Sequence, residues 1–128
     1  MPSLPIAPEN AVTVDLSALR QFAEAGIVSR TLFAGESLRV VLFGIAKGQE
    51  LSEHTSSRRA FVQILSGDCS FKSNGEWRRM QTGELLHMPP GHAHAVKADL
   101  CDCSFLLTLL AEDKAVVAHS ESSAEANA

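Results

Sequence analysis

From Ile27 to Leu110, turn-forming residues interrupt short apolar stretches every eight to twelve residues. That rhythm leaves no room for crossover helices between strands and points to an all-β fold of antiparallel strands. The expected strands are 27–33, 38–46, 50–56, 60–66, 69–73, 76–80, 84–88, 92–98 and 101–110. Asn74-Gly75 is the strongest hairpin signal, because both residues accept the backbone of a two-residue turn. Upstream, DLSALRQFAEAG predicts one short helix: Asp15 can cap its start, Leu16, Leu19, Phe22 and Ala23 share a face, and Gly26 sits at the C-terminal cap. The expected organisation is an arm and helix over 1–26, a barrel over 27–111 and a flexible Ser/Ala/Glu-rich tail over 112–128 carrying His119.

A chain of 128 residues, 45% hydrophobic and 20% charged, suits one self-supporting domain. Its net charge of −4 argues against a nucleic-acid backbone as partner. The longest apolar run, Phe105 to Ala111, is too short to span a bilayer, so no membrane partner is expected. No basic segment followed by an apolar one opens the chain, and the cytoplasm is the expected location. The odd cysteine count, Cys69, Cys101 and Cys103, fits a reducing compartment, with the three read as small buried hydrophobes. The stretches VVLFGIA and FLLTLLA are apolar on both faces, so the N-terminal helix or a second subunit should cover their outer side; a homodimer is favoured.

The chemistry-bearing residues gather in two places. Gly83, Pro89, Gly91 and His94 follow the spacing G-x5-P-x-G-x2-H, and Gly48, His54 and Gly67 lie upstream. This arrangement resembles the two conserved motifs of the cupin superfamily. The second motif is complete apart from its final Asn, replaced by Ala98, while the first is eroded. His54 keeps one ligand position, Ser56 stands where the second His belongs and Ala60 where the Glu belongs. The resemblance covers roughly residues 38 to 110 and implies a single-domain cupin jelly-roll β-barrel of the RmlC-like kind. It further implies that two histidines of a four-residue metal set survive, His54 and His94. The family's metals are Mn, Fe, Ni, Zn or similar ions, so the expected cofactor is one divalent transition metal or none.

His92 is the first candidate for a third metal ligand and His87 the second, each set against a plainer role in the turn or the barrel wall. Glu53 should face outward. Glu50 should face inward but lie roughly 13 Å from His54. The small Ser56 and Ala60 should enlarge the cavity where ligands would have filled it, making room for an organic molecule beside His54, Met88 and His94, with Val62 and Phe105 as further walls. Arg58 and Arg59 are expected near the mouth, either solvated or meeting an anionic ligand group. The leading expectation is a small-molecule-binding cupin with a reduced or lost metal site. The first alternative is a metal-dependent oxygenase, isomerase or decarboxylase acting on a small acid, sugar derivative or aromatic compound. The second is an effector-sensing module.

Overall fold

The computed structural model describes residues 4–22 and 24–112. Nine strands occur among them: β1 (Ile27–Ala34), β2 (Leu38–Ile45), β3 (Glu50–His54), β4 (Arg59–Ser66), β5 (Cys69–Ser73), β6 (Glu76–Met80), β7 (Leu85–Met88), β8 (His94–Lys97) and β9 (Cys103–Leu110). They form a five-stranded sheet in the order β1-β2-β9-β4-β7 and a four-stranded sheet in the order β3-β8-β5-β6. The pairings are antiparallel throughout. This is a jelly roll, as the spacing of turns led one to expect.

Each sheet turns one face to a shared core. Val62, Ile64 and Phe105 from the larger sheet meet Phe71, Met80 and Val96 from the smaller one, all nearly inaccessible to water. Burying side chains of this size contributes about 1.5–3 kcal/mol each, which makes this inter-sheet layer the main source of cohesion. A covalent link adds to it. Cys69 on β5 and Cys103 on β9 form a disulfide between the sheets, with Cα atoms 6.0 Å apart. This corrects the reading of the cysteines: two are buried but bonded, and Cys101 alone is a free thiol. The pairing joins opposite sheets, so strand-neighbour arithmetic within one strand cannot find it.

The expected helix is cut short. Among the described residues only Leu16–Leu19 is helical, α1, with Asp15 accepting from the amides of Ser17 and Ala18 at 3.1 and 3.4 Å. The chain leaves the helix at Arg20, and Phe22 is 37% exposed instead of lying on a buried helical face. The reason is a tertiary contact. The Gln21 carbonyl lies against Gly44 of β2, so closely that any Cβ on residue 44 would collide with it. An extended segment can lie flat on the sheet at that distance, whereas a continuing helix cannot. The arm therefore covers part of the outer face of the larger sheet, around Leu42 and Gly44, in the role assigned to a longer helix. Ala23 and residues 113–128, with His119, fall outside the described residues.

Candidate functional site

His54 ends β3 and His94 opens β8, and the two are direct partners across the strand pair. Their rings stand edge to face with centroids 4.2 Å apart. This juxtaposition depends on a β-bulge. Leu51 pairs with Val96 and His54 with His94, so Ser52 and Glu53 together oppose Ala95 alone. The extra residue lets both Leu51 and His54 face inward although three positions separate them. It also overturns the expected inward parity of Glu50, which pairs with Lys97 and is exposed. Glu53 faces outward as expected and meets Lys72 at 3.2 Å.

Both imidazoles are anchored in the same way. His54 Nδ1 lies 2.9 Å from the Ser52 carbonyl, and His94 Nδ1 lies 2.9 Å from the His92 carbonyl. A carbonyl oxygen only accepts, so each Nδ1 carries a hydrogen, and the neutral form of such a ring keeps its lone pair on Nε2. Burial holds the His94 pKa below its ordinary value, aided by neighbouring His54 and His92 and opposed by the bond to the His92 carbonyl. Loss of water disfavours the imidazolium, so His94 is a neutral hydrogen-bond acceptor at pH 7.

Behind the histidines lies a cavity of about 70 Å³. Phe43, Leu51, Val62, Phe71, Met88 and Phe105 wall it. Phe105 forms its aromatic floor, stacked on Phe43 at 5.0 Å and edge-on to Phe71 at 5.4 Å. Met88, Val62 and Phe105 therefore line the space with His54 and His94. Ser56 and Ala60 do not line it. Ser56 is held in the β3–β4 loop, where its carbonyl accepts from the Gly91 amide at 2.7 Å and its Oγ from the Arg58 amide at 3.1 Å. Gly91 makes this contact with φ of 81°, a conformation that a side chain would strain, so the Pro-Pro-Gly corner needs glycine there. Ala60 is buried in the pairing of β4 with β7 and β9.

Of the remaining described histidines, His92 borders His94 but is engaged by Ser73, and His87 points away from the cavity. His92 Nε2 lies 2.7 Å from Ser73 Oγ. His87 is on the outer face of the larger sheet, where its Nε2 accepts from Arg59 Nη1 at 2.7 Å and its ring tilts over Phe61 at 5.1 Å. Arg59 also grips Glu112, with Nε 2.7 Å from Oε2, so it is occupied on that face and not at the mouth. Among the described residues no three His, Cys, Asp or Glu side chains converge as an ion's coordination shell would require. Two imidazoles in an otherwise apolar enclosure do not fit a resident divalent ion, which takes at least three protein donors in a typical catalytic site. Sequence reasoning missed Phe43 and Leu51 as walls; the two-residue alternation of β2 could have placed Phe43, but the bulge hides Leu51.

Comparisons with known proteins agree with this architecture. The sequence profile described as the cupin domain matches residues 41–106, just over half of the chain. A crystal structure of a conserved protein of unknown function from Streptococcus pyogenes is 30% identical with a TM-score of 0.75, covering 88% of this chain and 97% of that one. A cupin superfamily protein from Desulfitobacterium hafniense is 20% identical with a TM-score of 0.73, over 84% and 96% of the two chains. KdgF from Halomonas sp. is 19% identical with a TM-score of 0.66, over 86% and 95%. None of the curated proteins matches the sequence. Profile, identity and topology converge with the glycine-and-histidine frame read above, and the chain belongs to the cupin superfamily.

Proposed function

We propose that this cupin domain binds a small organic molecule at the cavity beneath His54 and His94. The observation that carries the reading is the pair of facing imidazoles whose Nδ1 atoms are both tied to carbonyls, which leaves each Nε2 without a hydrogen-bond partner among the described residues. Such a pair accepts hydrogen bonds from a hydroxyl, an amine or a protonated acid, and the apolar walls take up the attached carbon. A volume of about 70 Å³ suits several water-sized groups, hence the head of a ligand and not its whole body. The test is a thermal-shift screen of small hydroxylated and acidic compounds against wild type and a His54→Ala/His94→Ala variant. Hits that stabilise the wild type and leave the double variant unmoved support the reading; hits that stabilise both equally overturn it.

A metal-dependent enzyme is the second reading. Carbonyl-anchored Nδ1 atoms are the support that metal-binding histidines use to present Nε2. An ion held by His54 and His94 would draw its remaining ligands from the bound molecule or solvent. Metal content of tag-free protein, after loading with Mn, Fe, Ni and Zn, separates the readings: near-stoichiometric metal lost in both single variants favours the enzyme. A role as an effector sensor would use the same pocket. The partly exposed Phe61, Leu106 and Leu110 on the outer face of the larger sheet support a homodimer through that face, checked by light scattering. The cytoplasm remains our proposed location, with the Cys69–Cys103 bridge weighing against it. Trapping thiols during lysis decides: one alkylated cysteine means an oxidising compartment, three mean the cytoplasm.

A further inference from the structure

A second, larger space lies on the other side of Phe71. The strands β6 and β7 are the outermost members of the two sheets on the same flank, and they do not pair with each other. Between them is a cleft of about 520 Å³. That is room for a whole small molecule, whereas the histidine cavity takes only the head of one. Half-buried Leu86 supplies accessible apolar surface above the nearly buried Phe71 and Met80, and Ser73, Asn74 and Arg78 are polar members of its lining.

Strand register sets what faces this cleft. Cys69 pairs with Met80, Phe71 with Arg78 and Ser73 with Glu76, so Arg78 and Glu76 project from the same face of β6 as the buried Met80. Of the flanking residues Arg79 projects the other way, whereas Trp77 still borders the cleft, as does His87 from β7. Trp77 lies under Lys97 Nζ at 4.0 Å, and Arg79 pairs with Asp68 at 3.0 Å. Arg59, Lys72 and Arg79 each have a carboxylate partner; among the described residues Arg78 has none. Glu76 shares its face but does not reach it within ion-pair distance. An unpaired guanidinium beside an apolar wall matches a carboxylate attached to a hydrophobic body. Glu76 at the same rim cancels one charge, which disfavours a dianion such as a phosphate ester and leaves a monoanion as the better match.

The geometry points to this cleft as a binding site for small monocarboxylates with an aromatic or branched aliphatic body, the carboxylate on Arg78 and the body on Phe71, Met80 and Leu86. The site is independent of the ligand proposed for the histidine cavity. Phe71 is the wall they share, so the two can be occupied separately.

Phenylacetate is a suitable probe, followed by amide chemical shifts of the full chain. The expected result is saturable binding with shifts centred on β5, β6 and β7. Arg78→Met keeps the aliphatic stem but should weaken binding about tenfold or more, and the neutral isostere phenylacetamide should bind wild type comparably weakly. Leu86→Trp should block the cleft. The His54→Ala/His94→Ala variant should bind phenylacetate as wild type does, which keeps failure of this site distinct from failure of the other. Arg78 is exposed, and the melting temperature of Arg78→Met should stay at the wild-type value. Equal binding by Arg78→Met and wild type, shifts confined to the surroundings of His54 and His94, or no saturable binding at millimolar concentration would each overturn the proposal.

Discussion

Strand β5 runs between two very different ends of the barrel. At one end Cys69 is fully buried and covalently tied to the opposite sheet. At the other, Ser73 pairs with His94, which in turn faces the exposed His54. Phe71 lies between them as a wall of both cavities. Along one strand the inward positions pass from a sealed bond through an aromatic partition to an open polar rim. The difference teaches where this fold places its rigidity. One end fixes the spacing of the sheets, and the other leaves polar side chains only partly covered.

Three perturbations would break or sharpen that contrast. The largest effect belongs to the partition. Phe105→Ala removes the ring that packs on both Phe43 and Phe71 and should cost about 3–5 kcal/mol in urea unfolding while enlarging the histidine cavity. A loss below about 1 kcal/mol would mean the floor had collapsed to refill the space. The sealed end comes next. Cleaving the Cys69–Cys103 bond frees a loop of sequence separation 34, with an expected loss of about 2–4 kcal/mol for the reduced protein or a Cys69→Ala/Cys103→Ala variant. An unchanged urea midpoint would show that packing alone holds that end.

The smallest effect is at the open end and depends on pH. Burial lowers the His94 pKa, so the folded protein binds that proton less readily than the unfolded chain does. The favourable state is therefore complete above the ordinary histidine value of 6.5 and is lost as pH falls from there toward the depressed folded value. Unfolding midpoints should decline with acidification in this window more steeply for wild type than for His94→Gln. Identical slopes would remove His94 as the cause.

Much of the architecture was legible because turns and two-residue alternation are local. The Asn74-Gly75 turn, the Pro-Gly corner and the strand expected over 60–66 need no knowledge of distant residues. The features that escaped involve partners far apart in the chain. A helix propensity over residues 15–26 yields to the contact between Gln21 and Gly44, which no local pattern announces. The disulfide spans two sheets, so its partners share neither strand nor hairpin. At the site, His54 and His94 could be named from the motif frame. The directions of Glu50, Ser56 and His92 could not, because a bulge, a loop carbonyl and the Ser73 hydroxyl set them.

The bulge at Ser52-Glu53 also has a consequence for how the chain can change in length. A regular β3 kept in its present pairing at Leu51 would bring Glu53, not His54, opposite His94, exchanging an imidazole for a carboxylate at the rim. Deleting one of Ser52 and Glu53 would instead straighten the strand and leave His54 where it is. The strand thus carries one spare residue just before His54. Loss of a codon there is absorbed by the pairing that remains on either side.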